Sequence, residues 1–238
     1  MTANPVTTLG ICPPPIRTYL YTFTHAYRCV RFQGISEVGM QEEIKAKRRA
    51  AIEKAAYKLL RERGYGGTSM LAIAKEAKAS NETLYRWYAD KNALFKTMVE
   101  SNAKATKAAL DAAVMDRADP LTALKAVAPI LLSMLLGEKA ISLNRAAAAD
   151  DGGELGATIA AAGRDSVFPL IEKLIERGLE TGAMAAPSAS LAAEWFISLL
   201  IGDLQIRRVI GTLPVPSDGD VSARATAATN AFRKLCCT

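Results

Sequence analysis

Residues 64–94 read GYGGTSMLAIAKEAKASNETLYRWYADKNAL, and this stretch decides the fold. Ser69, Ser80 and Asp90 each stand just before a segment with helical patterning, where a side-chain oxygen can accept from the free amides of a first helical turn. The caps predict three helices, which begin at residues 70, 81 and 91. The first two, joined by a tight turn, have the outline of a helix-turn-helix, whose second helix exposes polar residues to DNA.

The rest of the chain is also patterned as helices. Before the stretch, apolar residues recur at i, i+3, i+4, i+7 and i+8 from Ile52 to Leu60, which predicts one amphipathic helix that the glycines at 64, 66 and 67 end. After it we find no alternating pattern of a β-strand. The fourth helix is predicted over residues 91–115, and the later ones over residues 121–136, 138–150, 155–179, 188–210 and 218–236.

These patterns predict an all-α protein in three parts. Residues 41–90 form a three-helix DNA-binding domain, and residues 91–238 form a larger helical bundle. Residues 1–40, with the Pro13-Pro14-Pro15 run and no helical periodicity, are predicted to be an irregular extension. Because a helical segment follows Met40 at once, translation is hypothesised to start there. A flexible arm that adds DNA contacts is the alternative.

Positive charge is concentrated in one block. Residues 41–100 carry thirteen Lys and Arg and eight Asp and Glu, a balance of +5 within the net charge of +6. Such a block can attract a polyanion and neutralise its phosphates. A basic helical surface that is merely solvated has the same composition, so the charge alone does not decide between the two interpretations.

Several classes of chemistry lack their usual residues. The one histidine is His25, the four cysteines lie near the two ends of the chain, and no nucleophile elbow or phosphate-binding loop is present. No catalytic site, metal site or cofactor is therefore predicted, and the compartment is expected to be the reducing cytoplasm. The charge-free run 126–137 is shorter than the roughly 20 residues that span a bilayer, so no membrane association is predicted.

The same stretch is similar to a known family signature. Gly64-Tyr65-Gly66-Gly67-Thr68-Ser69-Met70 is followed by Ile73-Ala74 and then by Ala77-x-x-Ser80-x-x-Thr83-Leu84-Tyr85-x-x-Tyr88-x-x-Lys91-x-x-Leu94. This run resembles the N-terminal signature of the TetR/AcrR family over about residues 49–98. The resemblance implies a homodimeric transcriptional regulator, a repressor more often than an activator, that binds double-stranded operator DNA and is released by a small molecule.

Three residues depart from the family pattern. Lys78 stands in the turn where the family usually has glycine, so it must accept a strained φ or alter the turn. Glu82 replaces a small residue of the recognition helix, and Trp87 stands at an aromatic-or-histidine position near the end of that helix. These changes affect the operator sequence that could be recognised.

The resemblance also implies roles for single residues. Asn81 and Arg86 are expected at base edges, since Asn suits adenine and Arg suits guanine, and Glu82 could accept from cytosine or simply repel wrong sites. Ser80 fits a plain helix cap better than a DNA contact, and Tyr85 and Trp87 could instead fill the small core. The positions expected to bind phosphate are Thr68, Ser69, Thr83, Tyr85, Trp87 and Lys91.

For the C-terminal half the resemblance implies a dimer interface and a pocket. The last two helices are expected to pair with their copies through an apolar stripe of Ala192, Trp195, Phe196, Leu199 and Leu200, although packing within one chain would produce the same stripe. The pocket is expected to take an apolar or amphipathic effector. Its candidate lining residues are Met115, Leu131, Met134, Leu135, Asn144, Arg145, Arg164 and Phe168.

Two other functions remain as alternatives. An all-α enzyme would need a catalytic constellation, for which the acidic cluster of Asp150, Asp151 and Glu154 is a weak candidate beside a solvated loop. A helical adaptor for another protein would leave the basic block and the helix-turn-helix signature without a role. DNA binding that weakens steeply with salt separates the regulator from both.

Overall fold

The computed structural model describes the backbone of residues 17–117 and 119–236, and the side chains from residue 39 onward within those ranges. In this part of the chain every regular element is a helix, which confirms the all-α fold. The elements are α1 (Arg17–Arg63), α2 (Met70–Glu76), α3 (Asn81–Trp87), α4 (Lys91–Met115), α5 (Pro120–Leu136), α6 (Glu138–Ala148), α7 (Glu154–Ile159), a π-helical segment (Ala160–Arg164), α8 (Asp165–Glu180), α9 (Ala189–Ile201), α10 (Leu204–Val209) and α11 (Asp218–Cys236).

The N-terminal part differs from the prediction. α1 begins at Arg17, so residues 17–40 are helical where an irregular extension was expected, and residues 1–16 lie outside the described residues. By its internal contacts the chain divides into Met1–Ala50 and Ala51–Thr238. In the first unit, exposed i,i+3 and i,i+4 ion pairs run along the helix, for example Lys45 to Glu42 at 2.8 Å. Whether translation starts at Met40 stays a prediction.

The second unit begins with the small core of the three-helix head, formed by α2, α3 and the end of α1. The predicted stripe of α1 is buried, and Ile52, Ile73 and Leu84 have no exposed surface. Burying each such side chain contributes about 1.5–3 kcal/mol. The turn between α1 and α2 depends on two glycines. Gly64 has φ +68°, and a Cβ on Gly67 would lie 2.5 Å from the Arg63 carbonyl oxygen.

The head is continuous with the following helices. Leu94, Phe95 and Met98 of α4 are buried in the same cluster as the head residues, together with Leu143 of α6 and Leu155 of α7. The rings of Tyr65 and Phe95 meet edge to face with centroids 5.2 Å apart. The recognition elements are therefore packed against α4, α6 and α7 rather than attached by a free linker.

A second cluster forms the core of the bundle between α4, α5, α8, α9 and α11. Its largest buried members include Leu124, Leu132, Phe196 and Phe232, and the two phenylalanine rings pack edge to face at 5.4 Å. In the described residues no single helix is long and apolar enough to cross a membrane. α5 and α6, bent by 51° at their junction, reach that length and composition only as a pair.

Two predicted helices are broken. The segment predicted over 155–179 consists of α7, the π-helical segment and α8. The one predicted over 188–210 is divided into α9 and α10 at Gly202. α9 can end there because Arg224 of α11 donates to the carbonyls of Leu199 at 2.7 Å and Leu200 at 3.0 Å. The guanidinium thereby donates to carbonyls that would otherwise accept from the amides of a following helical turn.

Candidate DNA-binding surface and cavity

α2 and α3 form a helix-turn-helix whose turn is closed by backbone hydrogen bonds. The amide of Ala79 donates to the Ala74 carbonyl at 3.0 Å and that of Lys78 donates to Lys75 at 3.3 Å, the pattern of a Schellman motif. Lys78 occupies its left-handed position with φ 51°. The lysine thus accepts the strained φ, at a cost of about 1–2 kcal/mol relative to a right-handed conformation.

The predicted caps start the helices. The Ser69 hydroxyl accepts from the Ala72 amide at 3.2 Å, the Ser80 hydroxyl from Thr83 at 3.1 Å, and the Asp90 carboxylate from Ala93 at 2.7 Å. Each bond satisfies one of the free amides of a first turn, with a contribution of about 1 kcal/mol. The caps fix where α2, α3 and α4 begin, and so which residues of α3 face outward.

α3 is divided lengthwise into a buried and an exposed face. Leu84 and the following Tyr88 are buried in the head, whereas Asn81, Glu82 and Arg86 are exposed and Tyr85 retains 52% of its surface. These four exposed side chains offer amide, carboxylate, guanidinium and phenol groups on one face. That is the chemistry with which a recognition helix reads base edges and phosphates.

Three residues expected to bind phosphate are engaged inside the protein. Thr68 is buried and its hydroxyl donates to the Gly64 carbonyl at 2.7 Å, while the buried Thr83 shares a 2.7 Å hydroxyl contact with Ser80. The Lys91 ammonium donates to the Tyr65 backbone carbonyl at 3.1 Å and lies 3.8 Å from the centre of the Tyr65 ring. These groups already make hydrogen bonds within the protein, and whether they also bind phosphate stays a prediction. Ser69 remains exposed.

Trp87 lies between the two interpretations given to it. It is half-buried and packs against the head core, as the structural interpretation expected. Basic groups are also exposed on the neighbouring segments, namely Lys75 on α2, Lys78 in the turn and Lys96 on α4. This surface can therefore neutralise phosphates through side chains other than the buried threonines and Lys91.

A cavity of about 380 Å³ lies in the bundle below the head. Its wall is mostly aliphatic and comes from α4 to α10, and the volume suits a small organic ligand. Six of the residues predicted for a pocket line it, namely Leu131, Met134, Leu135, Asn144, Arg164 and Phe168.

Two predicted pocket residues lie elsewhere. Met115 is 82% exposed at the end of α4, and the Arg145 guanidinium donates to the carbonyls of Val209 at 2.8 Å and Arg208 at 3.0 Å. The prediction missed Asn102 and Gln205, which line the cavity. A polar residue beside Val99 and Ala103 on the buried stripe of α4 was a usable signal for Asn102.

Comparison with known proteins identifies the family. Residues 52–98 match the bacterial regulatory proteins of the tetR family, and residues 122–235 match the C-terminal domain of AefR-like transcriptional repressors. The chain belongs to the TetR family. It is thus a DNA-binding helix-turn-helix regulator by family, as the resemblance of residues 49–98 implied. No curated protein sequence matches the chain significantly.

Solved TetR structures show the same fold. A TetR transcriptional regulator of Agrobacterium tumefaciens is 29% identical, with a TM-score of 0.62 over 80% of this chain and 95% of its own. SmeT of Stenotrophomonas maltophilia, solved with triclosan, is 18% identical, with a TM-score of 0.67 over 81% and 92%. FadR of Bacillus subtilis, solved with stearoyl-CoA, is 15% identical, with a TM-score of 0.62 over 77% and 96%.

In this TetR chain some residues of the predicted dimer stripe are fully buried and others keep accessible surface. Ala192, Phe196 and Leu200 have no exposed surface, so they fill the chain's own core and cannot contact a second copy. That part of the interface prediction is wrong, because a helix packed on a bundle turns its most regular apolar stripe inward. Trp195 and Leu199 are half-buried and keep accessible surface.

A polar junction joins the TetR head to α7. The Tyr65 hydroxyl donates to the Glu154 carboxylate at 3.5 Å, and the Thr158 hydroxyl donates to the Asn92 side chain. Burial, and then the charge of Glu154, raise the pKa of Tyr65 to about 12, so the phenol stays protonated and remains a donor. The same α7 that meets the head here contributes Gly156 and Ile159 to the cavity wall.

Proposed function

We propose that the protein is a cytoplasmic repressor that binds a palindromic operator as a homodimer and is released by a small apolar or amphipathic ligand. One observation carries the proposal. Val99, Leu143 and Ile159 pack in or against the core cluster of the head and also line the cavity. A ligand in the cavity would therefore contact the side chains that hold the helix-turn-helix in place.

The exposed face of α3 supports the DNA-binding part. Asn81 and Arg86 are proposed to read base edges, and Ser69 and Tyr85 are proposed to bind phosphates. The caps at Ser80 and Asp90 fix where α3 and α4 begin, and therefore which residues of α3 face the DNA. One three-helix head buries little DNA surface, whereas two heads spaced one helical turn apart read a palindrome with combined affinity. The proposed function therefore requires a dimer.

The proposed dimer contact uses the outward face of α9 and α11. Trp195 and Leu199 provide apolar surface on α9, and α11 exposes Ala223, Ala227 and Ala231 along one side. Small residues allow two helices to approach closely, and a half-buried tryptophan is a favoured interface anchor. This assignment replaces the fully buried members of the predicted stripe.

The aliphatic wall of the cavity supports the ligand class. SmeT and the Bacillus subtilis FadR, which share this fold, were solved with triclosan, an apolar aromatic compound, and with stearoyl-CoA, which joins an apolar chain to a charged head. In the proposed mechanism the ligand favours a state in which α4 tilts and the spacing of the two heads changes. By linkage, operator DNA must weaken ligand binding by the same factor.

A footprint on the DNA flanking the gene, at two salt concentrations, tests the proposal. We expect a protected site with two-fold symmetry and a binding constant that falls steeply with salt. Arg86→Ala should abolish protection, and Lys173→Ala, an exposed residue of α8, is the matched control. Absence of binding both to this DNA and to random DNA at low salt would contradict the proposal and favour the adaptor alternative.

A further inference from the structure

The polar groups of the cavity point to the charge of its ligand. Arg164, the last residue of the π-helical segment, is the one charged residue among the described residues that line the cavity, and no Asp or Glu joins it there. Its guanidinium lies 5.3 Å from the centre of the Phe168 ring, which also lines the cavity. Arg164 is exposed as well as lining the cavity, so its cation lies at the solvent edge of the site, beside a ring of the site itself.

Arg164 has no ion-pair partner within the described part of the chain. The five ion pairs found there involve other residues, and Asp165, next in sequence, makes none. A neutral ligand that covered the guanidinium would remove its water without replacing the hydrogen bonds, which is unfavourable. A carboxylate would supply two parallel, charge-assisted hydrogen bonds instead.

Two amide side chains add further polar groups to the wall. The Asn144 amide donates to the Ala140 carbonyl at 2.9 Å and the Gln205 amide donates to the Leu135 carbonyl at 3.2 Å. Each side-chain oxygen can still accept a hydrogen bond. The remaining wall is largely aliphatic, with Leu131, Ile171 and Ile197 among its members. The cavity thus combines a cationic edge with an apolar interior.

We propose that the effector is an anionic amphiphile, with an apolar body in the cavity and a carboxylate bound to Arg164. The inference rests on the proposed regulator function only in calling this ligand an effector. The π-helical segment contributes to the site directly, since Ala160 and Gly163 line the cavity beside Arg164. Such wide turns within α-helices are frequent at functional sites.

Matched probe pairs test the proposal by calorimetry on the full chain at neutral pH. 2-Naphthoate is compared with 2-naphthamide, and decanoate with decan-1-ol, so that each pair has similar size and differs in charge. We expect the carboxylate of each pair to bind roughly 3- to 10-fold more tightly, because solvent screens a charged contact with an exposed arginine. Arg164→Gln should remove this preference and leave the affinity for the neutral probes unchanged.

Lys173→Gln on α8 is the control, since it removes one exposed positive charge outside the cavity wall and should keep the preference. Equal affinity within both pairs, binding of neither member of either pair, or a preference that survives in Arg164→Gln would overturn the proposal. DNA footprints of wild type and Arg164→Gln separate the two proposals. Protected DNA without carboxylate preference refutes the anionic site alone, whereas carboxylate preference without DNA binding refutes the regulator alone.

Discussion

Arg208 should contribute more to stability through two backbone carbonyls than through its ion pair. This arginine of α10 is 6% exposed. It donates to the carbonyls of Leu136 at 3.1 Å and Leu213 at 3.2 Å, and to the Glu138 carboxylate at 2.6 Å. The Leu136 carbonyl belongs to the last turn of α5, where no intrahelical amide is available. Arg208→Met keeps a long side chain and removes all three bonds.

The expected loss can be estimated bond by bond. A hydrogen bond from a charged donor contributes about 1.5–3 kcal/mol net, so losing two carbonyl bonds costs roughly 3 kcal/mol after relaxation and entry of water. The Glu138 side chain is 65% exposed, and ion pairs with so much solvent contribute about 1 kcal/mol or less. Glu138→Gln removes the charge of the partner and leaves the carbonyl bonds in place.

Thermal unfolding at one fixed protein concentration measures both variants. For a chain of this length about 1 kcal/mol shifts Tm by roughly 2–4 °C. Arg208→Met, which loses the ion pair as well as both carbonyl bonds, about 3–4 kcal/mol in all, should therefore lower Tm by roughly 6–16 °C, and Glu138→Gln by no more than about 4 °C. Equal losses for the two variants would mean that the ion pair dominates. An unchanged Tm for Arg208→Met would refute the role assigned to the carbonyl bonds.

Three further substitutions have defined outcomes. Asn81→Ala should relax preference at one operator base by roughly 1–3 kcal/mol, and unchanged discrimination across a panel of operator variants would reject that role. Gly67→Ala should cost roughly 1–3 kcal/mol in urea unfolding, since its Cβ would meet the Arg63 carbonyl, while Gly66→Ala, with open space, should be near neutral. Asp119→Ala should cost about 1 kcal/mol at pH 7 as a lost cap. The hydrogen bond from the Thr122 amide lowers the pKa of Asp119 in the folded protein. The contribution of this cap to the free energy of unfolding is therefore fully present above the ordinary pKa of 3.8 and disappears as the pH falls through the lowered pKa. A difference between wild type and variant that stays constant as the pH is lowered from 7 to well below 3.8 would contradict this cause.

The sequence predicted the head best because its signals are local. Ser69, Ser80 and Asp90 each bind an amide three residues later, so the starts of α2, α3 and α4 can be inferred without knowledge of the remaining fold. For Lys78 the sequence left two possibilities, a strained φ or an altered turn, and the φ of 51° shows that the turn is kept.

The features that the sequence failed to predict depend on distant residues. α9 ends where Arg224, about two dozen residues away, donates to its last carbonyls. The sequence of α9 itself contains no pattern from which this contact could be predicted. Four of the five residues of the π-helical segment are alanine or glycine, and none of the five would be out of place in an ordinary α-helix. Its close packing is visible only in three dimensions, where a Cβ on Gly163 would lie 3.3 Å from Val99. Likewise, the amphipathic pattern of α9 could not distinguish its own core from a partner's surface.

Because Gly163 and Val99 are in close contact, a ligand that pushes on Val99 could supply the energy that the proposed switch requires. Coupling between two sites typically amounts to about 1–3 kcal/mol, which changes affinity up to roughly a hundredfold. Forcing extra volume into a well-packed interior costs a similar amount, about 1–3 kcal/mol. Val99 lies in the core of the head and in the cavity wall at once. A ligand that displaces it against Gly163 would therefore involve enough energy to weaken operator binding, and a tilt of α4 that relieves this crowding would be favoured without unfolding any element.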